Sequence, residues 1–241
     1  MSHAHETRID EIADGIYRIH TPIPPTVVSG GFSFNQYLVL DEEPLLFHTG
    51  PRRLWPHVRE AIARVTPVAS LRWAVLSHFE ADECGALNEL LAEAPHAVPA
   101  CGTVAAMVSV NDYANRPARA LADGEELSIG RRALRWIDAP HVPHAWDCGY
   151  LWDSATRTLF CGDLFTQGGA EHPPLVETDV LGPSEAFRTQ GLDYYSHTKR
   201  ARPILARLAA LAPTTLACMH GSAWRGDGAQ LLAALADALD A

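Results

Sequence analysis

Between residues 78 and 83 the chain reads His-Phe-Glu-Ala-Asp-Glu, so His78, Glu80 and Asp82 alternate at a spacing of two and Glu83 follows directly. Imidazole and carboxylate together are the donor types of zinc, iron and manganese sites. In an extended turn the three alternating side chains share one face, and in a coiled turn they splay around a centre. Either path delivers several ligands from one short segment. Asp82 and Glu83 also read as carboxylates at a helix start, where they cap free N–H groups and complement the dipole. That role accounts for neither His78 nor Glu80.

Three further groups stand just past apolar strand-like runs: His144 after Ile137-Asp138-Ala139-Pro140, Asp163 after Phe160-Cys161-Gly162, and His220 after Ala217-Cys218-Met219. A lone strand-end histidine is commonly structural. Four strand-end sites together point to a shared rim, where side chains are open to a ligand yet held by a rigid scaffold. His141 competes with His144 for the same place. Cys161 and Cys218 each precede a candidate by two residues and Cys84 follows Glu83; burial as small apolar side chains is the expectation for all three. Trp146 and Trp224 are near enough in sequence to wall a pocket, and the other tryptophans are expected in the core.

The elements that must position these groups follow from periodicity. Residues near Ile16–Ile19 and Asn35–Leu40, and the run Pro44–Phe47 that stops at His48-Thr49-Gly50, predict strands. Leu54–Val65 has helical spacing and closes before Pro67. Leu71–Leu76 predicts a buried strand, then comes the 77–83 turn and a helix from about Cys84 to Ala94; the order recurs more weakly over Ala97–Val110. Leu127–Ile129, Ala133–Ile137, Tyr150–Trp152 and Thr158–Phe160 predict hairpin-like strands. A helical pattern starts at Pro183-Ser184-Glu185 and runs to Leu211, broken near Gly191 and kinked or restarted at Pro203. Thr214–Met219 is a last strand and Gln230–Leu239 a last amphipathic helix. That order fits two sheets with helices on their outer faces.

With 241 residues, 47% of them hydrophobic, the chain can bury a large core and would be cramped as two domains. No linker, low-complexity stretch or internal repeat stands out. A formal charge of -10 argues against a nucleic-acid partner, and bound cations could answer part of it. The start, MSHAHETRIDEIADG, shows neither the basic nor the apolar region of a secretory signal, and no apolar run approaches a membrane span. Five cysteines without a C-x-x-C pair suit free thiols in a reducing cytoplasm.

The series His78, Glu80, Asp82, then His144, Asp163 and His220, resembles the metal ligands of the metallo-β-lactamase superfamily. Glutamate at the second position is similar to the flavodiiron proteins and the oxygen-binding diiron proteins; hydrolytic members usually carry H-x-H-x-D-H. His144-Ala145-Trp146-Asp147 resembles the H-W-P-D segment, and Leu159-Phe160-Cys161-Gly162-Asp163 the strand that ends in the bridging aspartate. Tyr194-Tyr195, Pro203 and Met219-His220-Gly221-Ser222-Ala223-Trp224-Arg225 look like the closing helix and H-G-x-x-W-R turn. The resemblance implies a four-layer αββα metallo-β-lactamase sandwich, of α/β class (α+β in some schemes), formed by residues 1–241 as one domain. It implies that His78, Glu80 and His144 bind one ion, Asp82 and His220 the other, and that Asp163 bridges them. His144 takes this role over His141 because it precedes the Trp-Asp pair and lies 19 residues before Asp163, the family's order.

Two positions depart from the pattern. Glu83 stands where the family has histidine, and stays open between ligand and solvated helix-start carboxylate. His48-Thr49-Gly50 replaces D-T-G, and His48 is expected to support ligands or structure, not to bind an ion itself. With Glu80, Asp82, Glu83 and Asp163 all bound, four negative charges would meet about four positive charges from two divalent ions. A near-neutral site blunts the acidity a hydrolytic dizinc centre needs, and hard carboxylates favour iron or manganese. The expectation is a non-heme diiron centre that binds oxygen or a related small molecule, with zinc or manganese as the alternative metals and no residue assigned to an organic cofactor. The flavodiiron relatives add a flavodoxin-like domain carrying FMN; this chain is expected to lack one and to draw electrons from a separate donor, or to be limited to oxygen binding, sensing or peroxide chemistry. The rival expectations are a metal-dependent hydrolase of a thioester, lactone or phosphoester, and a non-catalytic sensor or binding module. A cytoplasmic homodimer follows from the resemblance alone.

Overall fold

The computed structural model describes residues 6–240; the first five residues of the N-terminal stretch read for a signal lie outside them. β1 (Arg8–Ala13), β2 (Ile16–Ile23), β3 (Phe32–Val39) and β4 (Leu45–Phe47) form an antiparallel meander. It continues through α1 (Trp55–Ala63) into β5 (Trp73–Val75). α2 (Ala81–Cys84) and α3 (Leu87–Glu93) lead to β6 (Val98–Gly102); α4 (Thr103–Ala105), a π-helical turn over Ala106–Val110, and α5 (Asn111–Tyr113) lead to β7 (Arg119–Leu121). From β4 to β7 neighbours run parallel, so β1 to β7 lie in chain order in one sheet.

The second sheet holds β8 (Glu126–Ser128), β9 (Ala133–Asp138), β10 (Gly149–Asp153), β11 (Thr158–Phe160), β12 (Leu175–Val176), β13 (Thr215–Ala217) and β14 (Ala223–Arg225), in the order β12-β14-β13-β11-β10-β9-β8. The chain leaves this sheet for α6 (Leu181–Gln190) and α7 (Ala201–Ala209), and ends in α8 (Gly228–Asp240).

Alternation along the strands explains the layers. Tyr37 and Val39 of β3, Leu45 and Phe47 of β4, Leu151 of β10 and Phe160 of β11 point into one shared core between the sheets. Their neighbours point outward: Leu38 and Leu46 pack with α1 and α3, while Tyr150, Trp152 and Leu159 pack with α7 and α8. The αββα sandwich expected from the sequence is therefore the observed fold.

Trp136 on β9 fills the centre of the inner core and donates from Nε1 to Asp138 Oδ1 at 2.7 Å. A Cβ on Gly149 would lie 2.2 Å from Trp136 Cζ2, and one on Gly102 3.1 Å from the same atom. The indole has no room to retreat. Gly149→Ala is expected to destabilise the protein by about 1–3 kcal/mol, read as a lower denaturant midpoint; an unchanged midpoint would show that the core relaxes around the methyl.

Several elements differ from the sequence reading. β1, β7, β12 and β14 were not predicted: β7, β12 and β14 are only two or three residues long, and β1 (RIDEIA) is largely polar at the sheet edge. The predicted helix over 84–94 is two, because Gly85 closes α2 and the Ala86 amide turns to Gly50 O at 3.0 Å. Of the kink or restart expected at Pro203, the restart is observed: α7 begins at Ala201, and Pro203 sits in its first turn, where a missing N–H costs no bond.

Candidate metal centre

All the chemistry-bearing segments lie at one rim. His78 follows β5, His144 lies in the loop from β9 to β10, Asp163 follows β11, and His220 sits between β13 and β14. Backbone bonds tie these loops together: Gly149 N to Ser77 O at 2.8 Å and Asn35 N to Met219 O at 2.8 Å join the two sheets, and Met219 N to Gly162 O at 2.8 Å joins two loops of the second. Asp147 Oδ2 accepts from Phe79 N at 3.0 Å and so fixes the turn that carries His78. Within that turn the sequence's two alternatives both occur: Glu80 is extended, while Asp82 and Glu83 lie in the first turn of α2 and not ahead of a helix.

The three imidazoles aim their Nε2 atoms at carboxylate oxygens. His78 Nε2 lies 3.0 Å from Glu80 Oε2, 3.5 Å from Asp163 Oδ2 and 3.8 Å from Glu83 Oε2. His144 Nε2 is 3.1 Å from Glu80 Oε2 and 3.4 Å from Asp163 Oδ2. His220 Nε2 is 3.5 Å from Asp82 Oδ2 and 3.4 Å from Asp163 Oδ1. Asp163 thus divides its oxygens, Oδ2 toward His78 and His144 and Oδ1 toward His220. Donor separations of 3.0–3.5 Å match the edges of a coordination polyhedron with bonds of about 2.1 Å.

The opposite ring nitrogens show that the residues fit such ions. His144 Nδ1 faces Tyr194 O at 3.0 Å and His220 Nδ1 faces Ser33 O at 2.7 Å. A carbonyl only accepts, so both Nδ1 atoms carry protons and leave Nε2 as the lone-pair side, the usual arrangement of metal-binding histidines. Glu83 is fully buried with neither oxygen hydrogen-bonded among the described residues, and Asp163 Oδ1 is likewise unpartnered. Buried carboxylates in that condition call for a cation. The set of His78, Glu80, His144 and Asp163, and that of Glu80, Asp82 and Glu83, each bring their donor atoms within 4.8 Å of one another.

Electrostatics agree. Burial opposes the charged forms of His78, His144 and His220, yet Glu83 beside His78, Glu80 beside His144 and Asp163 beside His220 raise all three above 6.5. Hydrogen bonds from His144 and then His78 bring Glu80 down to about 2, and Asp163 is lowered by His220 and His78 against its burial. Burial, then Asp163, pushes Glu83 well above the carboxylate range.

These directions set the stability of metal-free protein. The raised histidines contribute fully below 6.5 and lose that contribution as pH climbs through their folded values. Glu83, also raised, begins to cost stability above 4.5, whereas Glu80 contributes above 4.5 and loses it only as pH falls toward about 2. Chelated protein is therefore expected to be most stable near about pH 5 and to weaken toward about pH 8. Divalent ions compete with the same protons, so the rise in Tm on adding metal should grow over that interval. Paired melts at several pH values check this, and an increment that shrinks as pH rises would contradict it.

A cavity of about 340 Å³ opens onto the centre, walled by Phe32, Phe187, Leu192 and Tyr194. Phe32 packs on His220 with ring centroids 4.4 Å apart and stacks on Phe187 at 5.8 Å. These wall residues were missed, because isolated apolar residues read as core. Trp146 and Trp224, suggested as walls, do not line it: Trp146 borders another cleft with Asp138 and Pro140, and Trp224 is buried with Nε1 on Thr178 O at 3.0 Å. His141 faces a separate cleft with Tyr195 and His197. Cys84, Cys161 and Cys218 are buried, the last two with sulfurs 3.8 Å apart.

The model of the ODP family beta lactamase matches residues 32–221, a span that includes every residue of this centre. The chain belongs to that family. A curated relative, the anaerobic nitric oxide reductase flavorubredoxin of Salmonella arizonae, is 25% identical over 213 residues, 84% of this chain and 43% of the relative. Among solved structures, the rubredoxin oxygen:oxidoreductase of Desulfovibrio gigas superposes with a TM-score of 0.79 at 23% identity, over 95% of this chain and 62% of that one. The flavodiiron protein of Giardia intestinalis does so at 0.79 and 20%, over 96% and 59%. This ODP-family chain thus has the fold of flavodiiron cores and spans less than two thirds of these relatives. Among the described residues, no helix is long and apolar enough to cross a membrane.

Proposed function

We propose that this chain holds two metal ions, iron in its working state, and serves as an oxidoreductase that reduces oxygen or a related small oxidant such as nitric oxide. One observation carries the reading: the buried Asp163 splits its two oxygens between His78 with His144 on one side and His220 on the other. His78, Glu80 and His144 would hold one ion, Asp82 and His220 the second, and Asp163 both; Glu83 lies within reach of the centre as a further carboxylate. When bound, two iron ions would supply the one-electron steps that reduction of a small oxidant needs. The carboxylate-rich donor set favours iron over a hydrolytic dizinc centre. Phe32, Phe187 and Leu192 limit water at the opening, and Tyr194, whose hydroxyl burial raises to about 12, stays protonated there.

Residues 1–241 are read as one domain on the strength of the inner core, to which both sheets contribute. Every described strand belongs to these two sheets, so electrons are proposed to come from a donor outside the described residues. Metal analysis with optical spectra under anaerobic and aerobic conditions tests the proposal. Two irons per chain, an oxygen-sensitive spectrum and oxygen consumption with a supplied reductant are expected; zinc alone, with no iron uptake on reconstitution, would end it, and ester hydrolysis lost in Asp163→Ala would favour the hydrolase.

A further inference from the structure

His48 is fully buried just past β4, in a left-handed backbone conformation with φ of 65°, and its ring stacks on Phe47 at 4.1 Å. Its two nitrogens reach the residues that immediately precede His78 and His220. Nε2 lies 2.9 Å from Ser77 Oγ and 3.3 Å from Ser77 N, and Nδ1 lies 2.9 Å from Met219 Sδ. Ser77 Oγ in turn lies 3.0 Å from His78 Nδ1.

The proton directions follow from the one group that can only donate. Ser77 N–H points at His48 Nε2, so that nitrogen carries the lone pair and Nδ1 carries the proton, directed at the Met219 sulfur. A ring whose Nε2 accepts from Ser77 N–H has its one proton on Nδ1 and is neutral. The Ser77 hydroxyl has a single proton, and the lone pair of His48 Nε2 takes it. Ser77 Oγ is then left to accept from His78 Nδ1–H. Were the hydroxyl proton turned to His78 instead, His78 Nε2 would carry a hydrogen toward Glu80 and Asp163 and could not bind an ion.

We infer that His48 is a positioning residue: acting through Ser77, it sets the tautomer of His78 and aims the Nε2 lone pair of that ring into the centre, while its other nitrogen braces the strand end that carries His220. The inference rests on the metal-centre reading above. His144 and His220 have their Nδ1 protons fixed by backbone carbonyls, which cannot reverse. His78 alone of the three depends on a hydroxyl, which can rotate either way, and so needs a group that decides its direction.

The test uses zinc, which is diamagnetic, with histidine-labelled protein, reading the His78 tautomer by long-range proton–nitrogen correlation and zinc affinity by chelator competition. His48→Phe removes the lone pair and keeps a ring; His48→Gln returns an acceptor in place of Nε2. His48→Phe is expected to weaken one of two zinc ions about 10- to 100-fold and to leave zinc-treated His78 without a single form protonated at Nδ1 and zinc-bound at Nε2, with His48→Gln restoring most of both. Should His48→Phe not fold, Ser77→Ala breaks the same relay and should give the same loss. Two zinc ions bound within about twofold of wild type, or equal weakening by Phe and Gln, would overturn the relay. Wild-type protein that takes up no zinc would instead overturn the centre itself, and the relay with it.

Discussion

Asp163→Ala is expected to yield a folded protein that no longer retains a pair of ions, with affinity for at least one of them lowered about 1000-fold or more. Loss of a supporting residue typically costs about 10- to 100-fold, and Asp163 does more than support: each of its oxygens faces a different histidine group at 3.4–3.5 Å. Without it, His78 with His144 and His220 with Asp82 become separate and weaker donor sets. The fold should survive, because the imidazoles can release their protons once the buried anion is gone, and the cost to metal-free protein is expected to stay within about 1–3 kcal/mol. Asp163→Asn keeps the shape but offers one uncharged oxygen, so it should keep one ion better than the pair. Metal analysis after gel filtration and oxygen consumption by reduced protein are the measurements. Two ions held by Asp163→Ala as tightly as by wild type would remove the bridging role.

The chemistry at this rim was legible because its residues stand directly after short apolar strand runs, where a polar side chain has no packing role. His78, Glu80 and Asp82 could be read from spacing, and Asp163 and His220 from their strand-end positions, while His144 was preferred to His141 only through the family resemblance. What could not be read is what holds them. Tyr194 and Ser33 contribute backbone carbonyls to His144 and His220, and a carbonyl leaves no mark on the residue type. Ser77 is visible only as a small polar residue before His78. The His48-Thr49-Gly50 departure was visible, but that His48 reaches Ser77 and Met219 depends on its left-handed backbone and on two loops from opposite sheets. Two sheets flanked by helices were legible from element order, whereas four strands were not: β7, β12 and β14 are too short for alternation to register, and β1 is largely polar.

Burial also decides what kind of chemistry the centre presents to a reactant. Glu80 is half exposed and Asp82 partly so, while His78 and Glu83 sit behind them with essentially no exposure. The buried half of the donor set fixes geometry, and the exposed half meets the cavity. A small molecule in that cavity would meet Glu80, Asp82 and His144 beside the aromatic wall of Phe32 and Tyr194.

Glu83 separates the two readings of its own sequence position. A solvated carboxylate at a helix start would lose some stability on mutation and no metal; Glu83 is instead fully buried with both oxygens unpartnered among the described residues. In metal-free protein such a group is a burden, and burial together with Asp163 keeps it protonated well above the usual carboxylate range. Glu83→Leu, similar in bulk and without the polar atoms, is therefore expected to stabilise chelated protein by about 1–3 kcal/mol. In metal-loaded protein the sign reverses: the lost carboxylate removes a negative charge 3.8 Å from His78 Nε2, and affinity for one ion should fall by about 10- to 100-fold. At saturating metal the variant should then melt closer to its own metal-free form than wild type does. Melting curves of both proteins, with chelator and with excess zinc, measure the two effects side by side. A variant less stable without metal, yet unchanged in its gain on adding metal, would return Glu83 to a purely structural place in the first turn of α2.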